Sequence, residues 1–325
     1  MAEPIRWGII STANIGKNKV IPGIERSYNG VVAAVASRNL ESAQAFASEL
    51  GIPKAYGSYE ELIADPDIDA IYNPLPNSLH AEWSIKCAEA GKPSLCEKPL
   101  ASDAAEAQTI VDAFAQRNVL FAEAFMYRFH PRTEQVKELV NSGAVGDITA
   151  IQATFSFDIG GRDGDIRLNK SLAGGALMDI GCYCVNAMRL MTGEEPETVK
   201  ALAQIGEKSG VDETLVGVME FPSGAMGHFD CSFRAPFTST YEIRGSKGRI
   251  YVDPAFVPNH TDETTIHYWN DEGHKEIVLP PFDQYQLMAE NFASAILTHH
   301  EPRFHPQDAV QNMVVIDKLY ASLNS

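Results

Sequence analysis

Two textures of hydrophobic patterning divide this chain. In its first third, short solid apolar runs alternate with stretches of helical period. The runs are residues 5–10 (Ile-Arg-Trp-Gly-Ile-Ile), 31–36 (Val-Val-Ala-Ala-Val-Ala), 70–72, the short core Leu95-Cys96, and 119–122. The helical stretches fall at 16–21, 40–50, 59–63, 78–90 and 102–118. Solid runs of this length predict strands buried on both faces, as in a parallel sheet covered by helices. Strand, helix and strand within roughly thirty residues is the unit that binds dinucleotides.

Beyond Glu123 the pattern changes. Residues 149–157, 199–204, 214–221, 225–233, 239–245 and 249–252 alternate apolar and polar, which predicts half-buried strands. Pro222-Ser223-Gly224 and Gly245-Ser246-Lys247-Gly248 punctuate them as hairpin turns, so the pairing is mostly antiparallel. Helical stretches return at 132–141, 174–192, 284–298 and 307–323. The predicted fold is α/β: a Rossmann domain with a doubly wound parallel sheet over residues 1–123, then an α+β domain over 124–325 with a large, mostly antiparallel sheet.

Composition excludes several partners. Of the 325 residues, 45% are hydrophobic and 21% charged, as in an ordinary globular protein. A formal net charge of −17 argues against nucleic acid and against an anionic membrane surface. The first residues lack the basic start and apolar run of a signal peptide, and no stretch reaches bilayer-spanning length. The five cysteines are scattered, and Cys182-Tyr183-Cys184 lacks the spacing of a zinc knuckle. Reduced thiols, a cytoplasmic location and no metal site are the expectation.

Candidate chemistry gathers at predicted strand ends. After the first strand comes Ser11-Thr12-Ala13-Asn14-Ile15-Gly16, where a G-x-G-x-x-G fingerprint would stand. Small residues still let the backbone approach a pyrophosphate at a helix N-terminus, and the Ser11 or Thr12 hydroxyl can donate to it. An ordinary strand-turn-helix corner would look the same. The second strand ends in Ser37-Arg38-Asn39, with no carboxylate until Glu41. A ribose 2′-phosphate is repelled by Asp or Glu there, whereas Ser37 can hydrogen-bond it and the Arg38 guanidinium can pair with it. NADP(H) is therefore the expected cofactor. Asn73, Pro74, Leu75, Asn77 and His80 follow the next strand and lie where the cofactor is expected.

Glu97-Lys98-Pro99 ends a further strand, where Pro99 restrains Lys98 in extended backbone. In the second domain, Gly174-Gly175-Ala176-Leu177-Met178-Asp179-Ile180-Gly181-Cys182-Tyr183 holds the densest chemistry. Asp179 and Tyr183 share a face if this stretch is helical. A tyrosine becomes a useful acid/base when a nearby lysine lowers its pKa, so Lys98 and Tyr183 form a natural pair if the domains face each other.

Taken together, Glu97-Lys98-Pro99, the 73–80 turn, Tyr127-Arg128-Phe129-His130 and the Gly174–Tyr183 run resemble the glucose–fructose oxidoreductase/inositol dehydrogenase (Gfo/Idh/MocA) family, essentially end to end. Tyr183 is similar to the branch of D-xylose dehydrogenases, dimeric dihydrodiol dehydrogenases and aldose oxidoreductases. The Ser11/Ala13 turn departs from the family pattern by two glycines. The resemblance implies hydride transfer between nicotinamide and a sugar carbinol, and an open sheet that forms a homodimer or a dimer of dimers. It further implies Tyr183 as acid/base, Lys98 as its helper, Asp179 on a second sugar hydroxyl, and Arg128, His130 and Arg167 lining the pocket. The activities it implies are an NADP-dependent aldose dehydrogenase giving the lactone, an aldose–aldose oxidoreductase with bound NADP(H), a trans-dihydrodiol dehydrogenase, or a non-catalytic NADP or sugar sensor.

Overall fold

The solid apolar runs of the N-terminal third form one parallel sheet in the computed structural model, which describes residues 3–162 and 164–323. Its strands are β1 (Ile5–Ile10), β2 (Gly30–Ala36), β3 (Lys54–Tyr56), β4 (Ala70–Asn73), β5 (Ser94–Glu97) and β6 (Phe121–Ala124), in the order β3-β2-β1-β4-β5-β6. Trp7, Ile9, Ile71, Tyr72 and Cys96 are wholly buried, because helices cover both faces and each strand must be apolar on both. Chain direction around the sheet reverses between β1 and β4. The carboxyl ends of those strands therefore border the crevice where such sheets bind ligands. Polar side chains set the helix starts. Asn39 accepts from the Ser42 amide at 3.0 Å to begin Leu40–Leu50, and Asp103 accepts from the Glu106 amide at 2.8 Å to begin Ala104–Arg117. β3 escaped the sequence pattern because it is a half-buried edge of three residues.

Residues up to Met126 form this unit together with Asp283–Val310. The sequence division at residue 123 had placed that later segment in the second domain. Its helix Gln284–Thr298 starts at Asp283, whose carboxylate accepts from the Tyr285 amide at 2.9 Å. The helix lies against Ile21–Arg26 so closely that a Cβ on Gly23 would stand 2.9 Å from the Gln286 nitrogen. Phe292 meets Trp7 at 5.8 Å, and Asn29 donates to the Glu290 carbonyl at 3.0 Å. Complementary surface, rather than sequence proximity, decides where this helix belongs.

The second unit comprises Tyr127–Phe282 and the residues from Gln311 on. Its sheet has eight strands: β7 (Ile148–Ser156), β8 (Thr198–Ile205), β9 (Asp212–Glu220), β10 (Met226–Ser232), β11 (Thr238–Gly245), β12 (Gly248–Val252), β13 (Thr264–Asn270) and β14 (Gly273–Leu279). They run β14-β13-β12-β11-β7-β10-β9-β8, antiparallel except for the β7–β10 pair. Six of the eight were foreseen; β13 and β14 were not, since β14 is a polar edge strand (Gly-His-Lys-Glu-Ile-Val-Leu). Phe155, Phe229, Tyr241, Ile243 and Ile250 point to the core face, and the residues next to them along each strand point outward. The outward face carries exposed Leu202, Val216, Val218 and Met226. Among the described residues no helix is long and apolar enough to cross a membrane.

Candidate active site

In the first unit the expected cofactor residues collect at the carboxyl ends of β1, β2, β4 and β5. Ser11, directly after β1, sits at φ 81°, in the left-handed region that normally calls for glycine. Its amide donates to the Ala36 carbonyl at 2.9 Å, while its buried hydroxyl oxygen has no hydrogen-bond partner among the described residues. Thr12, Ala13, Asn14 and Ile15 then lead into a wide helical turn, Gly16–Val20. A buried hydroxyl left over beside a helix start suits an acceptor-rich group such as a pyrophosphate. The turn fits a dinucleotide without its glycines.

At the end of β2 the capping task falls to Asn39, so Ser37 and Arg38 are left for other work. Arg38 is exposed, and its charge partly offsets the upward push that burial gives the Tyr59 hydroxyl pKa. None of residues 37–39 carries a carboxylate.

The 73–80 turn is held from within. Asn73 is wholly buried, donating to the Ser84 hydroxyl at 3.2 Å and accepting from the Leu75 amide at 3.3 Å. Pro74, Leu75 and Asn77 continue the turn into a short 3₁₀ segment, Asn77–Leu79. His80 was expected at the cofactor. Instead both its ring nitrogens face backbone carbonyls, Leu75 at 2.7 Å and Pro99 at 3.0 Å. Burial outweighs those acceptors and pulls its pKa down to about 4. The neutral ring carries one N–H and donates it to one of these carbonyls, so His80 sits as a buried spacer between the loop after β4 and the loop after β5.

Glu97 closes β5. One of its oxygens accepts from the Tyr72 hydroxyl at 2.7 Å and the other from the Lys98 amide at 3.3 Å. Lys98 is half-buried and joined to Pro99 by a cis peptide bond. Glu97 and His80 therefore grip the backbone on either side of the lysine.

In the second unit, Tyr183 is 4% exposed and sits among Phe155 at 5.3 Å, Phe256 at 5.4 Å and Tyr127 at 5.9 Å. The Tyr127 hydroxyl donates to Asn186 at 2.6 Å. The expected helix over 174–192 begins later than the pattern suggested. Leu177–Gly181 is a π turn, and the regular helix runs Cys182–Thr192. The spacing of Asp179 and Tyr183 crosses that junction, a widened turn of a kind often found at functional sites. Gly174 and Gly175 make room for the protein itself. A Cβ on Gly174 would stand 2.4 Å from the Arg167 carbonyl oxygen. Gly175, at φ 132°, would place one 2.2 Å from the Asp212 carboxylate. A Cβ on Gly181 would meet the Cys231 sulfur at 2.8 Å, so this glycine seats the turn on the sheet.

Arg167, expected in the pocket, binds Asp179 through Nε at 2.8 Å and Asp165 through Nη1 at 3.2 Å. The Asp179 charge is the largest cause of its raised pKa. This pair orients the Asp179 carboxylate. His130 caps helix Pro131–Asn141, its Nδ1 accepting from the Arg132 amide at 3.1 Å. Burial, with Arg132 nearby, lowers its pKa to about 4, so the ring is neutral with the proton on Nε2. That buried donor has no partner among the described residues. Arg128 is 5% exposed on the adjoining short helical segment.

Sequence reasoning missed Asp212. Its carboxylate accepts from the Leu177 amide at 2.7 Å and from the Tyr320 hydroxyl at 2.8 Å, pinning the start of the π turn. Burial raises its pKa to about 6. An isolated Asp opening a strand gives no sequence signal for this role. Lys98 and Tyr183 lie in different units.

Residues 5–125 match the oxidoreductase family with NAD-binding Rossmann fold, and residues 133–251 match the GFO/IDH/MocA C-terminal domain. The chain is 42% identical to D-xylose 1-dehydrogenase (NADP(+)) 2 of Haloferax volcanii, over 97% of this chain and 96% of that protein. The chain belongs to the GFO/IDH/MocA oxidoreductase family. This oxidoreductase is also 35% identical to a trans-1,2-dihydrobenzene-1,2-diol dehydrogenase of Bos taurus, over 94% of the chain and 88% of the relative. A 3-ketoreductase from Actinomadura kijaniata, solved with NADP and TDP-benzene, superimposes with a TM-score of 0.93 at 31% identity, covering 98% of both chains. An aldose-aldose oxidoreductase from Caulobacter crescentus, solved with glycerol, gives 0.92 at 26% identity, covering 99% and 98%.

Proposed function

We propose that this oxidoreductase is an NADP-dependent aldose dehydrogenase, oxidising carbon one of a pentose or hexose of the D-xylose or D-glucose kind to the lactone. The end-to-end identity with a D-xylose 1-dehydrogenase (NADP(+)) carries the reading. The strand end at Ser37 and Arg38, free of any carboxylate, supports NADP(H) over NAD(H). The cofactor, when bound, accepts the hydride from the carbinol carbon. Ser11 through Ile15 are assigned its pyrophosphate, Ser37 and Arg38 its 2′-phosphate, and Asn73 through Asn77 with Glu97 shape the wall beside it. His80 is reassigned to holding that wall.

Tyr183 is assigned the hydroxyl proton, taken as the C1–H bond breaks and the C1=O bond forms. Lys98 supplies the positive charge that favours the tyrosinate. The oriented carboxylate of Asp179 accepts a second sugar hydroxyl, Arg167 fixing its direction. His130 Nε2–H and Arg128 donate to further oxygens. Several directed polar groups discriminate sugars well, since a hydroxyl missing or misplaced leaves a buried group unpaired. An open-sheet homodimer is part of the proposal, supported by exposed Leu202, Val216, Val218 and Met226 on one face. So is a cytoplasmic location, supported by five buried cysteines with no disulfide.

The test is absorbance at the NADPH band with NADP+ and D-xylose or D-glucose, after dialysis of the purified protein. Turnover with added NADP+ supports the reading. The likeness to an aldose-aldose oxidoreductase favours a second one: nicotinamide that survives dialysis, is reduced by one sugar and reoxidised by another, without added cofactor. Inactivity on sugars with activity on trans-dihydrodiols would overturn both. Inactivity on all three with NADP+ binding intact would leave the sensor.

A further inference from the structure

The hairpin β13–β14 ends the large sheet and places three metal-binding side chains together on its outward face. His267 of β13 stands directly across from Glu276 of β14, and His274 lies two residues before Glu276 on the same strand. Residues two apart on a strand share a face, so all three side chains emerge side by side. His267 Nδ1 is 3.3 Å from His274 Nε2 and 3.4 Å from a Glu276 carboxylate oxygen. The donor atoms of all three lie within 4.8 Å of one another. Zn–N and Zn–O bonds of about 2.0–2.1 Å in a tetrahedral array put neighbouring donors about 3.3 Å apart. These two separations match that edge, and a small rotation of exposed Glu276 closes the third.

We propose that His267, His274 and Glu276 form a binding site for a borderline divalent cation of the zinc type. Two imidazoles and one carboxylate suit Zn2+, Cu2+ or Ni2+ and leave a coordination position for water. Ca2+ and Mg2+ need more oxygen donors than a single carboxylate offers. The site is separate from the proposed hydride-transfer residues, and its second sphere is aromatic. The Trp269 ring lies 4.4 Å from His274 at 16°, and the Arg249 guanidinium, bound to Glu242 at 3.0 Å, lies 3.9 Å from the Trp269 ring centroid. Trp269 is therefore a built-in reporter, one of three tryptophans in the chain.

The experiment uses the full-length protein after EDTA dialysis. Calorimetric titration with Zn2+ should show saturable binding of one ion per chain, with no competition from Ca2+. Cu2+ should quench tryptophan fluorescence, and W269F should lose most of that quenching while still binding Zn2+. H267Q and H274Q should each weaken Zn2+ binding by roughly tenfold or more, about 1.4 kcal/mol or more. Zn2+ should raise the melting temperature of the wild type but not of H274Q. H300Q, an exposed histidine elsewhere, should bind as the wild type does. Absence of saturable Zn2+ binding, unchanged affinity in both hairpin variants, or equal competition by Ca2+ would overturn the site.

Discussion

Asp212→Asn gives the sharpest test of how the turn carrying Asp179 and Tyr183 is held. The Asp212 side chain is buried and accepts from the Leu177 amide and the Tyr320 hydroxyl. Those bonds favour the carboxylate, but burial outweighs them and lifts the pKa from 3.8 to about 6. A carboxyl whose folded pKa exceeds its unfolded one binds more protons in the native state between the two values. Its contribution is full below about pH 4 and is lost as pH rises through about 6. Near pH 5 the native group is mostly protonated and the unfolded one mostly ionised, a difference worth about 1.4 kcal/mol. Near pH 7.5 it has vanished. Asparagine keeps the shape and removes the titration. Urea unfolding of both proteins should therefore show the wild-type minus variant stability difference shrinking by about 1.4 kcal/mol from about pH 5 to about pH 7.5. A difference that stays flat or grows over that range would mean the hydrogen bonds, not burial, set the pKa, and the reasoning would fail.

Tyr183→Phe and Lys98→Ala should each lower kcat by roughly two to four orders of magnitude while NADP+ still binds, measured by turnover and by cofactor titration; near-normal turnover of either variant would remove its assigned role. Gly175→Ala combines an unfavourable φ with a Cβ driven into Asp212, and should cost about 3–5 kcal/mol in a denaturant titration. A loss under about 1 kcal/mol would show that the turn relaxes easily. Arg38→Glu should move cofactor preference from NADP+ toward NAD+ by roughly tenfold to a hundredfold in kcat/KM, since it puts a carboxylate where the 2′-phosphate is assigned. Unchanged preference would place the 2′-phosphate elsewhere.

The first unit was largely legible because a strand buried on both faces leaves a solid apolar run that no other element mimics at that length. β1 and helix Leu40–Leu50 have the bounds that the sequence pattern implied. Asp103 caps the helix that falls within the predicted stretch 102–118. What the pattern could not carry was partnership at long range. Helix Gln284–Thr298 was visible as a helix, yet its attachment to the first unit depends on the bare backbone at Gly23 and on Trp7 meeting Phe292. Periodicity records which face is apolar and says nothing about which surface that face will meet.

The same distinction separates the site residues that sequence could read from those it could not. Ser37, Arg38, Lys98, Asp179 and Tyr183 were singled out because residue type at a strand end or along a turn already implies chemistry. His80 shows the converse. A histidine in the first turn of a helix beside a presumed cofactor could serve a ligand, but the carbonyls of Leu75 and Pro99 lie at its two nitrogens and give it a structural place between loops. Asp212 and the His267–His274–Glu276 group left no linear trace at all. Each is assembled by register: Asp212 meets a turn far upstream, and Glu276 meets His267 only because β13 and β14 pair as they do. The chemistry of a residue can be read where it stands, but its task is fixed by which backbone or side chain the fold brings opposite it. That is why the residues that hold this site, rather than those that would act in it, were the ones hidden from the sequence.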